Sequence, residues 1–365
     1  MKTYYIIILF TSLFISCHSN TRNDLNPEIS VIDIAKAWDN NNKKDINASE
    51  LFSDVEYIPL ETNDKYLIDK IPHYYITDNF ILMGGSLFNK KGDFVVKLGK
   101  RGQGPGEFLF AKDELFNEDR KEFYALDNYR NDIHVYDINN HYLRSIPVPA
   151  FRYNFFLIDK DQLLIANKRS ISSRTPESCE YSYIIIGVEK GDTLYKHTSI
   201  DLSELKEIKY ISGVPFDIFW TYNDTINYYD GIQDTIYSLK KGRIDYPRYI
   251  VDFGKYKDFK EIRNTLPADY KMGMYMKIIS IGEYKNYLRL IVSYNMEYKS
   301  IFYNKTNKST FVLGNIQKDI DGICAKGSYV WPGDLDKEQI NMITSKSGKK
   351  IKEEDNPIII IKKER

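Results

Sequence analysis

From about residue 50 onward, segments rich in Tyr, Ile, Val and Phe alternate with short runs of Asn, Asp, Gly and Lys. This pattern predicts strands separated by tight turns. The clearest stretch is Phe123 to Val148 (FYALDNYRNDIHVYDINNHYLRSIPV). It reads as a strand, a polar turn at Asp127–Asp132, a strand Ile133–Asp137, a tight turn at Asn139-Asn140 and a strand Tyr142–Ile146. Asn suits such a turn because it tolerates positive φ at low cost. The same hairpin recurs with turns at Lys91-Gly92, Lys190-Gly191, Lys241-Gly242 and Thr306-Asn307, and successive turns start 48, 51, 51 and 65 residues apart. A period of about fifty residues with several strands in each repeat is the signature of a β-propeller blade.

The long last interval has a visible cause. Asp258–Leu266 places Phe259, Ile262 and Leu266 at helical spacing before Pro267, which predicts a short helix inserted between two blades. Five hairpins account for five blades. The sixth is assembled from both ends: Val330-Trp331 and Ile358–Ile361 from the C-terminus, and Val55–Leu60 from before the first blade. Joining them closes the ring and removes exposed sheet edges. Between the C-terminal strands, Leu335–Lys346 reads as a helix, with Asp334 as N-cap and Gly348 as stop. Two separate β-sandwiches are the rival arrangement, and the even period argues against them. The expected fold is all-β: one six-bladed propeller over Leu51–Arg365 with minor inserted helices.

The N-terminus carries an address. Lys2 precedes an apolar run, Ile6 to Ile15, too short to remain as a membrane-spanning helix. Small Ser16 then precedes Cys17, the arrangement of a bacterial lipoprotein signal in which the thiol takes the lipid. The expected division is residues 1–16 as signal peptide, a lipidated Cys17 heading a polar tether to residue 50, then the propeller. An ordinary secretory signal with a chance cysteine is the alternative. Several acyl chains on Cys17 would make membrane anchoring stable.

Composition narrows the classes. Lys+Arg and Asp+Glu are equal at 51 each, so the chain lacks the cation surplus that a sequence-independent nucleic-acid binder uses. A hydrophobic share of 42% with balanced charge argues against disorder. Only 3 Cys and 5 His exclude a disulfide scaffold and disfavour a multi-metal enzyme. Cys179 and Cys324 fall on separate repeats and are expected as isolated, buried thiols.

Gly99–Phe108 (GKRGQGPGEF) follows a predicted strand and precedes the next blade. It resembles the inter-blade segment of NHL-type propellers. Together with SDVEYIPLET (Ser53–Thr62), IHVYDINNHYLRSI (Ile133–Ile146) and the ending EEDNPIIIIKK (Glu353–Lys363), it makes the chain resemble the six-bladed β-propeller lipoproteins of Bacteroidetes. The resemblance implies the fold and an envelope location, in the outer membrane by the lipid anchor, and no defined reaction. Physically, the glycines permit backbone closed to other residues, Phe108 can fill the wedge between blades, and Glu107 can accept loop amides. A phosphate cradle beside Lys100 and Arg101 is the competing reading, but no helix follows the glycines.

Catalytic signatures are sparse. His18, His73, His134, His141 and His197 form no HxH or HExxH; three of them, His73, His134 and His197, would have to converge from separate blades to hold a metal. No GxSxG is present. Asp127-Asn128, Asp78-Asn79 and Asn223-Asp224 offer oxygens for calcium, yet turns require the same residues. No cofactor is expected, calcium being the one ion considered. Candidate ligand-binding residues are Lys100, Arg101, Glu107, Asp127 and Arg130, with Trp220 and Tyr222 as an aromatic rim suited to sugars or peptides. The expectation is a monomeric binding module for a peptide, glycan or envelope protein, the membrane being met through the lipid. The alternative is a metal-dependent hydrolase or lyase with its site in the central channel.

Overall fold

A computed structural model describes residues 29–364, apart from 41, 64–65, 69–72, 128, 149–151, 168–180, 199–216, 232, 257–275 and 318–327. Cys17, His18, Cys179, Cys324, Asn128 and the Asp258–Leu266 segment lie outside the described residues.

Six sheets carry the chain. Blade one is β4–β7 (Tyr74–Ile76, Phe80–Met83, Ser86–Asn89, Phe94–Lys97) and blade two β8–β11 (Ala111–Asn117, Glu122–Asp127, Asp132–Asp137, Tyr142–Pro147). Blade three is β12–β15 (Arg152–Asp159, Gln162–Asn167, Tyr183–Gly187, Thr193–His197). Blade four is β16–β19 (Ile218–Tyr222, Thr225–Asp230, Thr235–Lys240, Arg243–Asp252), and blade five β20–β23 (Lys277–Glu283, Tyr287–Tyr294, Glu297–Asn304, Thr310–Gln317). Each is an antiparallel meander, and the first strands of neighbouring blades adjoin around the channel. Blade six combines β24 (Tyr329–Val330) and β25 (Ile358–Glu364) with β3 (Phe52–Pro59) from the other end of the chain. Its register runs antiparallel from Ile358↔Pro59 to Lys363↔Asp54.

The core is divided among the seams between blades. Six apolar clusters occur, one at each junction, including blade five to six around Tyr57, Phe302 and Ile358, and blade six to one around Ile58, Ile81 and Ile359. Every blade therefore buries both faces against its two neighbours, which is the circular packing that the repeat required. The hairpin turns form as expected. Asn140 takes φ 66°, and Lys241 and Gly242 take 49° and 73°, the left-handed pair that matches strand twist.

Two expectations change. Residues 30–50, read as part of a tether, are instead an ordered belt on the outside of the ring. β1 (Ser30–Asp33) pairs parallel with β19, and β2 (Lys43–Asn47) pairs parallel with β23. Between and after them lie α1 (Ile34–Asn40) and α2 (Ala48–Leu51). Burial explains this: Ile32, Ile34, Ala37, Trp38 and Ile46 are inside the seams flanking blade five, so detaching the segment would return them to water. The second change is local. The C-terminal helix α3 spans Lys337–Ser347, and its N-cap is Asp336, which accepts from the Gln339 amide at 2.8 Å, while Pro332–Asp334 forms a 3-10 turn. Asp336 wins because Gln339 stands three residues on and completes a capping box. Gly348 stops the helix at φ 69°.

Candidate functional site

Of the seven candidates, five meet around the glycine-rich linker between blades one and two. The linker crosses one face of blade two. The Gly99 amide donates to Asn140 Oδ1 at 2.7 Å, Tyr136 donates its hydroxyl to the Gly106 carbonyl, and the Leu109 amide donates to Asp127 Oδ2 at 2.8 Å. Gly106, at φ 72°, passes so close to Tyr142 that a Cβ there would stand 2.7 Å from the ring; only glycine fits. Phe108 is buried in the seam, as expected.

The polar groups of this linker face one another. Lys100 Nζ pairs with Glu107 Oε1 at 2.6 Å, and the Gly104 amide donates to Glu107 Oε2 at 2.8 Å. Lys100 first, then that amide, hold the Glu107 carboxyl below its ordinary value. Arg130 donates to the carbonyls of Glu107 and Gln103 at 2.8 and 3.1 Å, and Arg101 to that of Leu109 at 3.1 Å. The place an external phosphate would take beside Lys100 is filled by the chain's own carboxylate. Asp127 is fully buried, also receiving the Tyr129 amide at 2.9 Å.

Trp220 and Tyr222 lie elsewhere, on the first strand of blade four at the end opposite to Asp127, so the seven residues do not form one site. Trp220 donates to Glu283 Oε2 at 2.9 Å, and Tyr222 to Glu364 Oε2 at 2.9 Å. Glu283 has no exposed side chain and is held by Arg248 at 2.6 Å and Lys305 at 2.8 Å. Burial acts to raise its pKa, but these two cations outweigh it and the net shift is downward. Burial, and then Glu364, push the Tyr222 hydroxyl up to about 12. This network sews blades four, five and six together. A second one, Arg120–Glu122–Arg144 with Asp161 and Glu189, does the same for blades two and three.

The three histidines do not converge. His134 is buried on the third strand of blade two, between Phe108 and Tyr142, and His197 stacks on Tyr183 at the outer strand of blade three. Only His73 stands at the channel. Among the described residues no group of three His, Cys, Asp or Glu could hold a metal ion. Asp78-Asn79 and Asn223-Asp224 occupy turns of blades one and four, and Asp127 ends β9 in blade two, so the three stand on different blades.

A site that the motifs did not mark lies where the inner strands begin. β8 carries Lys112, Asp113 and Glu114 in succession, and strand alternation sends the two carboxyls to opposite faces. Glu114 receives the Gly85 amide of blade one at 2.7 Å, whereas Asp113 receives the Phe155 amide of blade three at 3.1 Å. Burial raises Asp113 to about 6 and Glu114 to about 7. His73 Nδ1 stands 3.8 Å from Asp113 Oδ1, its own pKa lowered by burial and then by Lys112. Beside them Tyr74, 41% exposed, meets Tyr329 of blade six edge-on at 5.9 Å. Perturbed titratable groups next to accessible aromatic rings at the mouth of a channel are the features of a recognition or catalytic site. The sequence signal was three consecutive charges inside a strand that should face a crowded channel.

Comparison with solved structures agrees with the architecture. A protein described as a candidate exported protein (BF0058) from Bacteroides fragilis NCTC 9343 superposes with a TM-score of 0.60 at 16% identity, covering 88% of this chain and 98% of that one. A member of the DUF4221 family from Bacteroides vulgatus ATCC 8482 gives 0.44 at 10% identity over 74% and 86%. The periplasmic gluconolactonase of Pseudomonas aeruginosa gives 0.34 at 8% identity over 67% and 65%. No curated protein matches the chain. The match that spans the ring and its belt, residues 29–363, is to the domain of unknown function DUF4934, and the chain belongs to that family.

Proposed function

We propose that this chain is a propeller lipoprotein of the cell envelope, with an NHL-like linker, that captures a glycan or peptide at the channel mouth where the inner strands begin. The observation that carries the reading is the juxtaposition at that mouth of the accessible Tyr74–Tyr329 pair with Asp113, His73 and Lys112. Aromatic faces take the apolar side of a sugar ring or peptide side chain, and the polar groups fix its orientation. The anchor is Cys17, and residues 18–28 are the tether that remains once the belt is docked.

The test is a thermal-shift and calorimetric screen of soluble glycans and peptides against the full mature chain. A ligand whose stabilisation disappears in Tyr74→Ala and weakens in Asp113→Asn supports the reading; ligands insensitive to both variants refute it. Cys17→Ala should move the protein from the membrane to the soluble fraction. The His73–Asp113 pair also favours a second reading, channel hydrolysis with Asp113 moving a proton. Turnover of a lactone or glycoside with a pH midpoint near 6, abolished in Asp113→Asn, would replace capture with catalysis.

A further inference from the structure

A second surface lies on the outer wall, away from the channel. β3 stands on β25 as β11, the outer strand of blade two, stands on β10: the Leu60 amide donates to the Pro357 carbonyl at 3.2 Å as the Val148 amide does to that of Asn131 at 2.8 Å. Blades four and five carry a further strand outside their fourth, β1 and β2, whereas among the described residues no strand pairs with the outer edge of β3. Along β3 there is a trough of about 450 Å³, bounded by Asp54–Pro59 on its floor, the β6–β7 turn on one bank and the end of α3 on the other. It continues past Pro59 into a second hollow of about 400 Å³. The Lys349–Asp93 pair, 2.9 Å long, spans the boundary between them as a bar.

The floor of the trough is strand edge, and side chains stand where a strand would bond. Asp54 Oδ1 accepts the Val55 amide at 2.8 Å, while Lys349 Nζ donates to the Pro59 and Lys91 carbonyls at 3.4 and 2.5 Å. The banks are basic. Lys363 is shared with Asp54 and Glu56 at 3.5 and 3.7 Å, and Lys346 lies over the Tyr57 ring. Lys90, Lys91 and Lys350 have no carboxylate within ion-pair distance among the described residues. The cations are spaced along the strand, not gathered at one point. That spacing fits an extended chain with carboxylates at intervals better than a compact anion.

We infer that this trough binds an extended acidic peptide, which lies along β3 as an added outer strand, the position that β1 and β2 take on blades four and five. Its main chain would replace the Asp54 and Lys349 side chains at the edge, and its acidic side chains would meet Lys90, Lys91 and Lys350. The inference does not rest on the channel reading, since the two sites share no residue.

The experiment uses fluorescence anisotropy with three eight-residue probes: alternating Glu and Val, alternating Lys and Val, and the Glu–Val peptide N-methylated at alternate amides. The unmodified acidic peptide should bind the full mature chain, and the basic one should not. Lys90→Glu with Lys91→Glu, both in an exposed turn, should weaken binding at least tenfold, as should N-methylation. Circular dichroism and melting of that variant report whether it folds as the parent does. Binding unaffected by N-methylation would mean charge attraction without strand addition, and would overturn the proposal. So would equal binding by the charge-reversed variant, or no binding at low salt.

Discussion

Glu283 keeps its charge in the interior because two cations reach it, whereas for Asp113 burial outweighs every group that touches it. Opposite consequences follow. Glu283→Gln leaves Arg248 and Lys305 inside without their counter-charge, and should cost about 3–5 kcal/mol by chemical denaturation, the range for breaking a buried pair. Asp113 in the folded chain holds its proton to higher pH than the unfolded chain does. Its contribution therefore favours folding below its ordinary value of 3.8, and is lost as pH rises from there to about 6. Asp113→Asn should flatten that part of the stability profile, measured as denaturation midpoint against pH. His134 acts the other way. Both its ring nitrogens are buried with no hydrogen-bond partner among the described residues, and burial lowers its pKa. The folded state binds the proton less well than the unfolded chain, so stability falls as pH drops below the ordinary 6.5. His134→Leu should raise stability by about 1 kcal/mol at neutral pH, and should lessen the loss below pH 6.5, where His73 still contributes.

At the scale of elements, the linker and the belt show what sequence can and cannot reveal. GKRGQGPGEF announces itself because glycine, proline and an aromatic at those positions have few other uses. Its wedge Phe108 and its internal carboxylate Glu107 were both readable. Gly106→Val should cost several kcal/mol, since it adds a left-handed strain to a clash with the Tyr142 ring; differential scanning calorimetry would measure it. The belt was not readable. SVID and KKDIN are too short to show strand alternation, and parallel pairing with an outer strand sets no turn beside them. What remained was the run of Ile32, Ile34 and Trp38, apolar residues that a solvated tether would not need. The channel site was hidden for a related reason. Tyr74 and Tyr329 are distant in sequence, and nothing local marks either among 30 tyrosines.

Across the whole molecule, the period of turns was enough to mark five blades, because a propeller repeats one packing solution and each of those repeats leaves its hairpin in the sequence. Closure was legible too, from apolar strands left over at both ends. It predicts that stability is shared around the ring. Deleting residues 358–364 removes β25, exposes the two seams flanking blade six, and should abolish cooperative unfolding rather than merely lower the midpoint. Matching near-ultraviolet dichroism of the deleted and full-length chains would contradict this.

The pairing of β3 with β25 also orders events in time. Residues made near the start of synthesis must wait for some of the last before either finds its partner, and the same delay holds for β1, whose Ser30 pairs with Tyr249. Such distant pairings make folding slow. Until the final strand emerges, the growing chain presents unmatched edges to its surroundings. A protein built this way gains from being kept apart from its own copies during birth, and its yield in concentrated refolding should depend on dilution more than its finished stability would suggest.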